Sequence, residues 1–420
     1  MSPHLVPPTR LLIAATLLVT GCASPHSPTP SAPAPASEGP GLVPAECREA
    51  VTTALAAAGP NASELADAIR LAPAEQRSAV CFLIANMPDV DLQSLAGAFI
   101  LENVAWAYKA REAMPWGKDI PDELFLNDVL PYANVNERRD DWRRDFYQRF
   151  SLLVRDCRTP AEAAQKLNRE IFPLLQVQYH ATKRPKPDQS PYESTEAHYA
   201  SCTGLSVLLA DACRAVCIPA RLAGTPAWTT KDGNHSWVEV WDRQWYFAGS
   251  AEPDPAGLNR AWFVDDAAKA DPGHPLHRIY AVSFRKTGQS FPLVWNPELK
   301  WVNARDVTSY YTNRKKVHIR VLDGPNGRPL AGRLVLRQQG ELYAASTLPS
   351  PATDPANPPA PMGSAGSNPL PPTDDTAATF ELPGSEDYEL EFTAAGGHPT
   401  RSTIRTTDES DQTITIEAPR

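Results

Sequence analysis

No extended basic stripe runs through this 420-residue sequence. With a formal charge of −9 and a pI near 5.6, the chain cannot neutralise a phosphate backbone, and nucleic acid is excluded as its general partner. Long apolar runs are missing too. The best candidate, "LLIAATLLVT" at 11–20, offers about ten residues where a spanning helix needs about 20. Cysteine is sparse: Cys22, Cys47, Cys81, Cys157, Cys202, Cys213 and Cys217, at spacings that match no small disulfide framework. Cys213 and Cys217, four apart on one expected helix, are badly placed to bridge each other and read as packing residues.

Proline, by contrast, is abundant at 43 residues, and two stretches are especially rich in it. Residues 1–22 read as a signal segment. Its end, Leu18-Val19-Thr20-Gly21-Cys22, resembles the bacterial lipobox, in which the cysteine is lipidated and begins the mature chain; the alternative is a plain secretory signal cut nearby. The resemblance implies an acyl anchor at Cys22 and a membrane-attached lipoprotein, with Ala23 at the following position favouring the outer membrane. Residues 23–46, rich in Pro, Ser and Ala, cannot bury enough apolar surface to fold and read as a tether.

The remainder predicts an α+β protein. Residues 47–115 carry apolar side chains three and four apart, such as Leu65, Ile69 and Leu71 and then Val80, Leu83 and Met87, the spacing of helical hairpins. A charged amphipathic helix is expected over about 138–155, and Thr159-Pro160-Ala161-Glu162 has capping-box spacing with proline at the first helical position. Leu205, Leu208, Leu209, Ala212 and Val216 form one stripe on a further helix, which predicts burial along one side. "HSWVEVW" alternates, and Asp242-Arg243 as a two-residue turn into "QWYFAG" makes a hairpin. From residue 314 to 420 short alternating strands predict a β-sandwich, interrupted by a second Pro-rich run over 348–376. This last segment resembles, weakly, the carboxypeptidase-regulatory or prealbumin-like β-domains. No ligand for it can be read.

The candidate chemistry lies in 116–313. Ser201 caps the helix that Cys202 opens, which puts the thiol at the positive end of the dipole and leaves the Cys202 amide free to donate to an oxyanion. His235, at the head of an alternating strand and after the glycine-bearing loop "KDGNH", is the available base. No pair of His or Cys stands at ligand spacing around it, so neither a metal nor another cofactor is expected. A buried packing role for Cys202 and sheet packing for Trp237, Trp241 and Trp245 are the structural alternatives. Asn134 and Asn136 either border the site or are surface polarity.

The order "SCTGLSVLLADACRAVCIPAR...GTPAW...NHSWVEVWDRQWYF" resembles the transglutaminase-like superfamily, relatives of papain-type cysteine proteases. That resemblance implies a papain/transglutaminase-like core with an antiparallel sheet, Cys202 as nucleophile and His235 as base. It implies acyl transfer at amide bonds of a protein or peptide substrate in the cell envelope, by hydrolysis or transamidation. The chain departs from the family pattern where an orienting Asp is usual, since that position is Gly249. The two-residue turn would set Ser250 opposite His235, and the nearest carboxylates are Glu252, preferred as third member, and Asp254. Gly249 also opens a second reading, a binding or scaffolding lipoprotein that keeps the fold without turnover.

Overall fold

The computed structural model describes residues 42–325, 327–349 and 376–418. Cys22, most of the tether and most of the second Pro-rich run lie outside the described residues. Four principal helices come first: Arg48–Ala57, Ala62–Leu71, Arg77–Asn86 and Gly97–Ala113. Their apolar faces (Val51 and Ala54; Leu65, Ala68 and Ile69; Val80, Leu83 and Ile84; Ile100, Val104 and Ala107) are buried in one shared core, which is what three-and-four spacing dictates. Gly97 is required where the last of these starts, because a β-carbon there would stand 2.9 Å from the Glu64 carbonyl oxygen. No helix among the described residues is long and apolar enough to cross a membrane.

Helices Arg143–Leu153 and Pro160–Leu175 follow. The second starts where the capping signal sits: Thr159 Oγ1 accepts from the Glu162 N–H at 3.2 Å. The first starts five residues later than its charge pattern suggests. Residues before Arg143 are held as loop instead, because the Glu137 carboxylate accepts the N–H groups of Asn134 and Val135 at 2.6 and 2.7 Å and Arg138 pairs with Asp140 at 2.7 Å.

The helix Cys202–Ala215 is the axis of the molecule. Every residue from Thr203 to Ala215 is buried, so the apolar stripe understates it: this helix is enclosed all round, not along one side. Its polar residues survive by being paired. Asp211 accepts from Asn134 Nδ2 at 2.9 Å. Arg214 donates to the carbonyls of Ala220 and Ala133, both at 3.0 Å. Asn134 is therefore a structural residue of the interior, and Asn136 bonds Asp188 and Trp295 instead of bordering a site.

Fourteen strands are found among the described residues. They are β1 Gln178–Tyr179, β2 Tyr199–Ala200, β3 Ala220–Thr225, β4 His235–Asp242, β5 Gln244–Ala248, β6 Tyr280–Ser283, β7 Asn303–Asp306, β8 Arg314–Leu322, β9 Gly332–Gln338, β10 Glu341–Leu348, β11 Ala378–Pro383, β12 Asp387–Ala394, β13 Thr400–Arg405 and β14 Asp411–Glu417. Nine form one antiparallel sheet in the order β13-β12-β9-β10-β5-β4-β3-β6-β7. The central sheet thus runs on into the C-terminal strands through the pair Ala344↔Gln244. A second sheet, β11-β8-β14, packs its Val317, Ile319 and Phe380 against Leu334, Leu336, Leu390 and Phe392 of the first, the two-layer solution for alternating strands. Within it β14 runs parallel to β8.

Register decides the site. Trp241 pairs with Trp245 and Asp242 with Gln244, so one residue, Arg243 at φ 66°, makes the turn that two were expected to make. Every cross-strand partner shifts by one. Continued past Ala248, the ladder aligns Ser250 with Ser236 and not with His235, the opposite face of the sheet.

Candidate active site

Ser201 Oγ accepts from the Gly204 N–H at 3.1 Å and donates to the Pro187 carbonyl at 2.7 Å. The cap fixes Cys202 as the first residue of a buried helix. The first turn is pinned to the sheet by two hydroxyl pairs, Thr203 Oγ1 to Ser236 Oγ and Ser206 Oγ to Ser250 Oγ, both at 3.1 Å. Ser250 is thereby committed to the helix.

The Cys202 thiol meets β4 at the backbone N–H of Ser236, on the peptide that joins Ser236 to His235. Burial pushes this thiol up from its ordinary value. Hydrogen bonds from the N–H groups of Ser236 and Thr203 and from the Thr203 hydroxyl, with the Arg184 charge nearby, offset this only in part. The helix end therefore does not produce a resting thiolate, contrary to the expectation from position alone: desolvation wins over the dipole and its donors.

His235 lies on the sheet face opposite Ser236, as alternation requires. Its ring is packed among Trp262, Phe263, Trp237 and Trp228, at centroid distances of 4.8, 5.1, 5.9 and 6.1 Å. Burial, with the Lys231 ammonium nearby, lowers its pKa to about 4. Nε2 is buried without a hydrogen-bond partner among the described residues. Thiol and imidazole thus rest in their neutral forms at neutral pH.

The turn after β5 carries the three candidates for a third member. Asn168, from the helix Pro160–Leu175, donates to the Gly249 carbonyl and accepts from the Ala251 N–H, both at 2.8 Å. Ala251 takes the left-handed conformation, φ 64°. So shaped, the turn folds the Glu252 side chain back over Gly249, where its carboxylate fills the volume a β-carbon would claim. Burial raises the Glu252 carboxyl, and the Trp262 indole N–H partly offsets this. Asp254 is engaged elsewhere: it accepts the Ala256 N–H at 2.7 Å and faces Arg260 at 3.8 Å. Glu252 and Asp254 border a cavity of about 150 Å³ that neither Cys202 nor His235 lines.

Sequence reading missed the aromatic enclosure of His235. Trp228 stacks on Trp237 with rings 8° apart, Phe263 stacks on the same Trp237, and Trp262 covers His235 from outside. Their only signal was aromatic content in "GTPAW" and "NRAWF"; which strand they cover is a tertiary fact. The opposite end of the same face is polar: Arg221 pairs with Glu239 at 2.7 Å, and Tyr311 bonds Glu239 and accepts from Trp237 Nε1, both at 2.7 Å. Among the described residues no three His, Cys, Asp or Glu side chains are grouped to hold a metal ion, and the six described cysteines form no disulfide.

Residues 149–250 match the family model described as the transglutaminase-like superfamily. That span includes Cys202 and His235 and ends at Ser250. Among solved structures, a protein from Cytophaga hutchinsonii described as a candidate cysteine protease is 18% identical, with a TM-score of 0.25, over 34% of this chain and 46% of that one. Red sea bream transglutaminase is 11% identical, with a TM-score of 0.29, over 70% of this chain and 65% of its own. The chain therefore spans less than two thirds of either. No curated protein matches.

Proposed function

We propose that the transglutaminase-like segment is a cysteine acyl-transfer enzyme acting on amide bonds of proteins or peptides. Cys202 serves as nucleophile, His235 as general base and Glu252 as the carboxylate that orients His235. The observation that supports it is the placement of the Cys202 thiol on the peptide linking His235 to Ser236, at the head of a helix whose first amides are not used internally. The thiol sulfur adds to the amide carbonyl carbon while its proton passes to the neutral imidazole. The oxyanion accepts from the Cys202 N–H. Collapse breaks the C–N bond, the amine leaves with the proton from the imidazolium, and a thioester remains on Cys202. Water then gives a carboxylic acid, or a second amine gives a new amide.

Incubation with casein and a fluorescent primary amine reads transamidation, and mass spectrometry of a peptide library reads hydrolysis and deamidation. Product that disappears in Cys202→Ala and in His235→Ala is the expected result. Absence of all three products, or equal product from Cys202→Ala, overturns the reading. A binding or scaffolding protein is the second reading, favoured by Nε2 of His235 having no partner among the described residues and by Gly249. An envelope location rests on the lipobox-like Cys22. Incorporation of a palmitate analogue, lost in Cys22→Ser, tests it.

A further inference from the structure

One polar group on the His235 face lacks a partner: Nε2 of His235 is buried with nothing to bond among the described residues, which costs free energy until it is paired. A carboxylate that could pair with it, Glu252, is exposed and takes an indole N–H instead. Trp262 stands between them. Its ring lies 4.8 Å from the imidazole and its nitrogen serves Glu252. The flanks of Trp262 are fixed: Asn259 bonds Phe247 in both directions, at 2.9 Å each, and Phe263 is fully buried. Trp262 itself is 54% exposed, held on its outer side by the Lys231 ammonium at 4.5 Å. Gly249, being without a side chain, leaves the carboxylate room on this face.

We propose that Trp262 is a positioning residue that acts as a latch: closed, its indole N–H retains Glu252 and its ring covers Nε2 of His235; displaced, it releases Glu252 to accept a hydrogen bond from Nε2–H. The inference rests on the acyl-transfer reading for its purpose, but not for its test. In the open state Nε2–H donates to Glu252, and the carboxylate stabilises the imidazolium that forms when the ring takes up the thiol proton during acyl transfer. A substrate that takes the place of the Trp262 ring assembles the site as it binds.

The test is NMR titration of the imidazole rings in the full chain, with the His235 signal identified by its loss in His235→Gln. Trp262→Phe removes the N–H and part of the cover, and Trp262→Ala removes all of it. Both are expected to raise the His235 pKa, by about one unit or more. Glu252→Gln alone is expected to change little, and to cancel the rise when added to Trp262→Phe. No rise in either Trp262 variant overturns the proposal. So does a rise that persists with Glu252→Gln, because it would report water entry alone. Unchanged signals from the other histidines establish that each variant is folded. Turnover in the same proteins separately reads the acyl-transfer proposal: an inactive chain that shows this cycle keeps its latch, and an active chain without it does not have one.

Discussion

The carboxylate of Glu252 occupies the space that a β-carbon on Gly249 would fill. One pocket on the sheet is thus filled from three residues further along the chain. Gly249→Asp, which places a carboxylate where the superfamily pattern has one, must evict Glu252. The displaced atom is the far end of a flexible, exposed side chain, so the cost should stay below about 1 kcal/mol, and thermal unfolding should show a small loss. Adding Glu252→Ala should restore most of the stability. If the single variant is as stable as the parent, the two side chains do not compete for one place.

Alkylation of Cys202 by iodoacetamide should follow a titration that lies above the ordinary thiol value of 9.0. At neutral pH it is chiefly the uncharged thiol, and the rate should climb through pH 9 and beyond. Thr203→Val removes a hydroxyl donor to the thiolate and should lower the rate at pH 8 several-fold. A plateau below pH 8 in the resting protein would contradict the described environment.

Two buried groups tilt stability in opposite directions between pH 4 and 6.5. His235, lowered to about 4, is neutral in the fold while the unfolded chain takes up a proton, so its contribution is present above pH 6.5 and is lost as pH falls. Asp128, raised by burial to about 6, holds its proton in the fold while the unfolded chain releases it, so the protein loses stability as pH rises from 4 to 6. Each slope amounts to about 3 kcal/mol, and Asp211, also raised by burial, acts in the same sense as Asp128. His235→Gln should leave a protein that weakens more steeply as pH rises through this window, and Asp128→Asn one that weakens less steeply. Urea unfolding at five pH values distinguishes the three profiles.

Asn168→Ala deletes two buried hydrogen bonds to the turn that carries Gly249 and Glu252. A loss of about 2–3 kcal/mol is expected. Hydrogen exchange should show the loosening at Gly249–Glu252 before it reaches the helix Cys202–Ala215. Uniform loosening would mean that Asn168 supports the core and not this turn.

Much of the architecture was written in local signals. Ser201 and Thr159 are caps because their hydroxyls reach an amide three residues on, and "HSWVEVW" is a strand because its faces differ. What local signals could not settle were distances of one residue and effects of surroundings. Arg243 makes a turn in the left-handed conformation at a residue that does not advertise it, and that single step moved Ser250 from the His235 face to the helix face. The helix dipole at Cys202 favours the thiolate, but burial by strands some thirty residues away outweighs it. Trp262 lies outside the hairpin whose pattern announced His235, so only packing reveals that it covers the ring.

The pairing of Gln244 with Ala344 has a practical result for anyone dividing this polypeptide. The Ala345 N–H donates to the Arg243 carbonyl at 2.7 Å, and the Glu381 N–H donates to Gln244 Oε1 at 2.8 Å, so the C-terminal strands act as a cover for one border of the hairpin. A chain stopped at residue 313 would leave that border bare, with Trp245 beside it, and should self-associate through it.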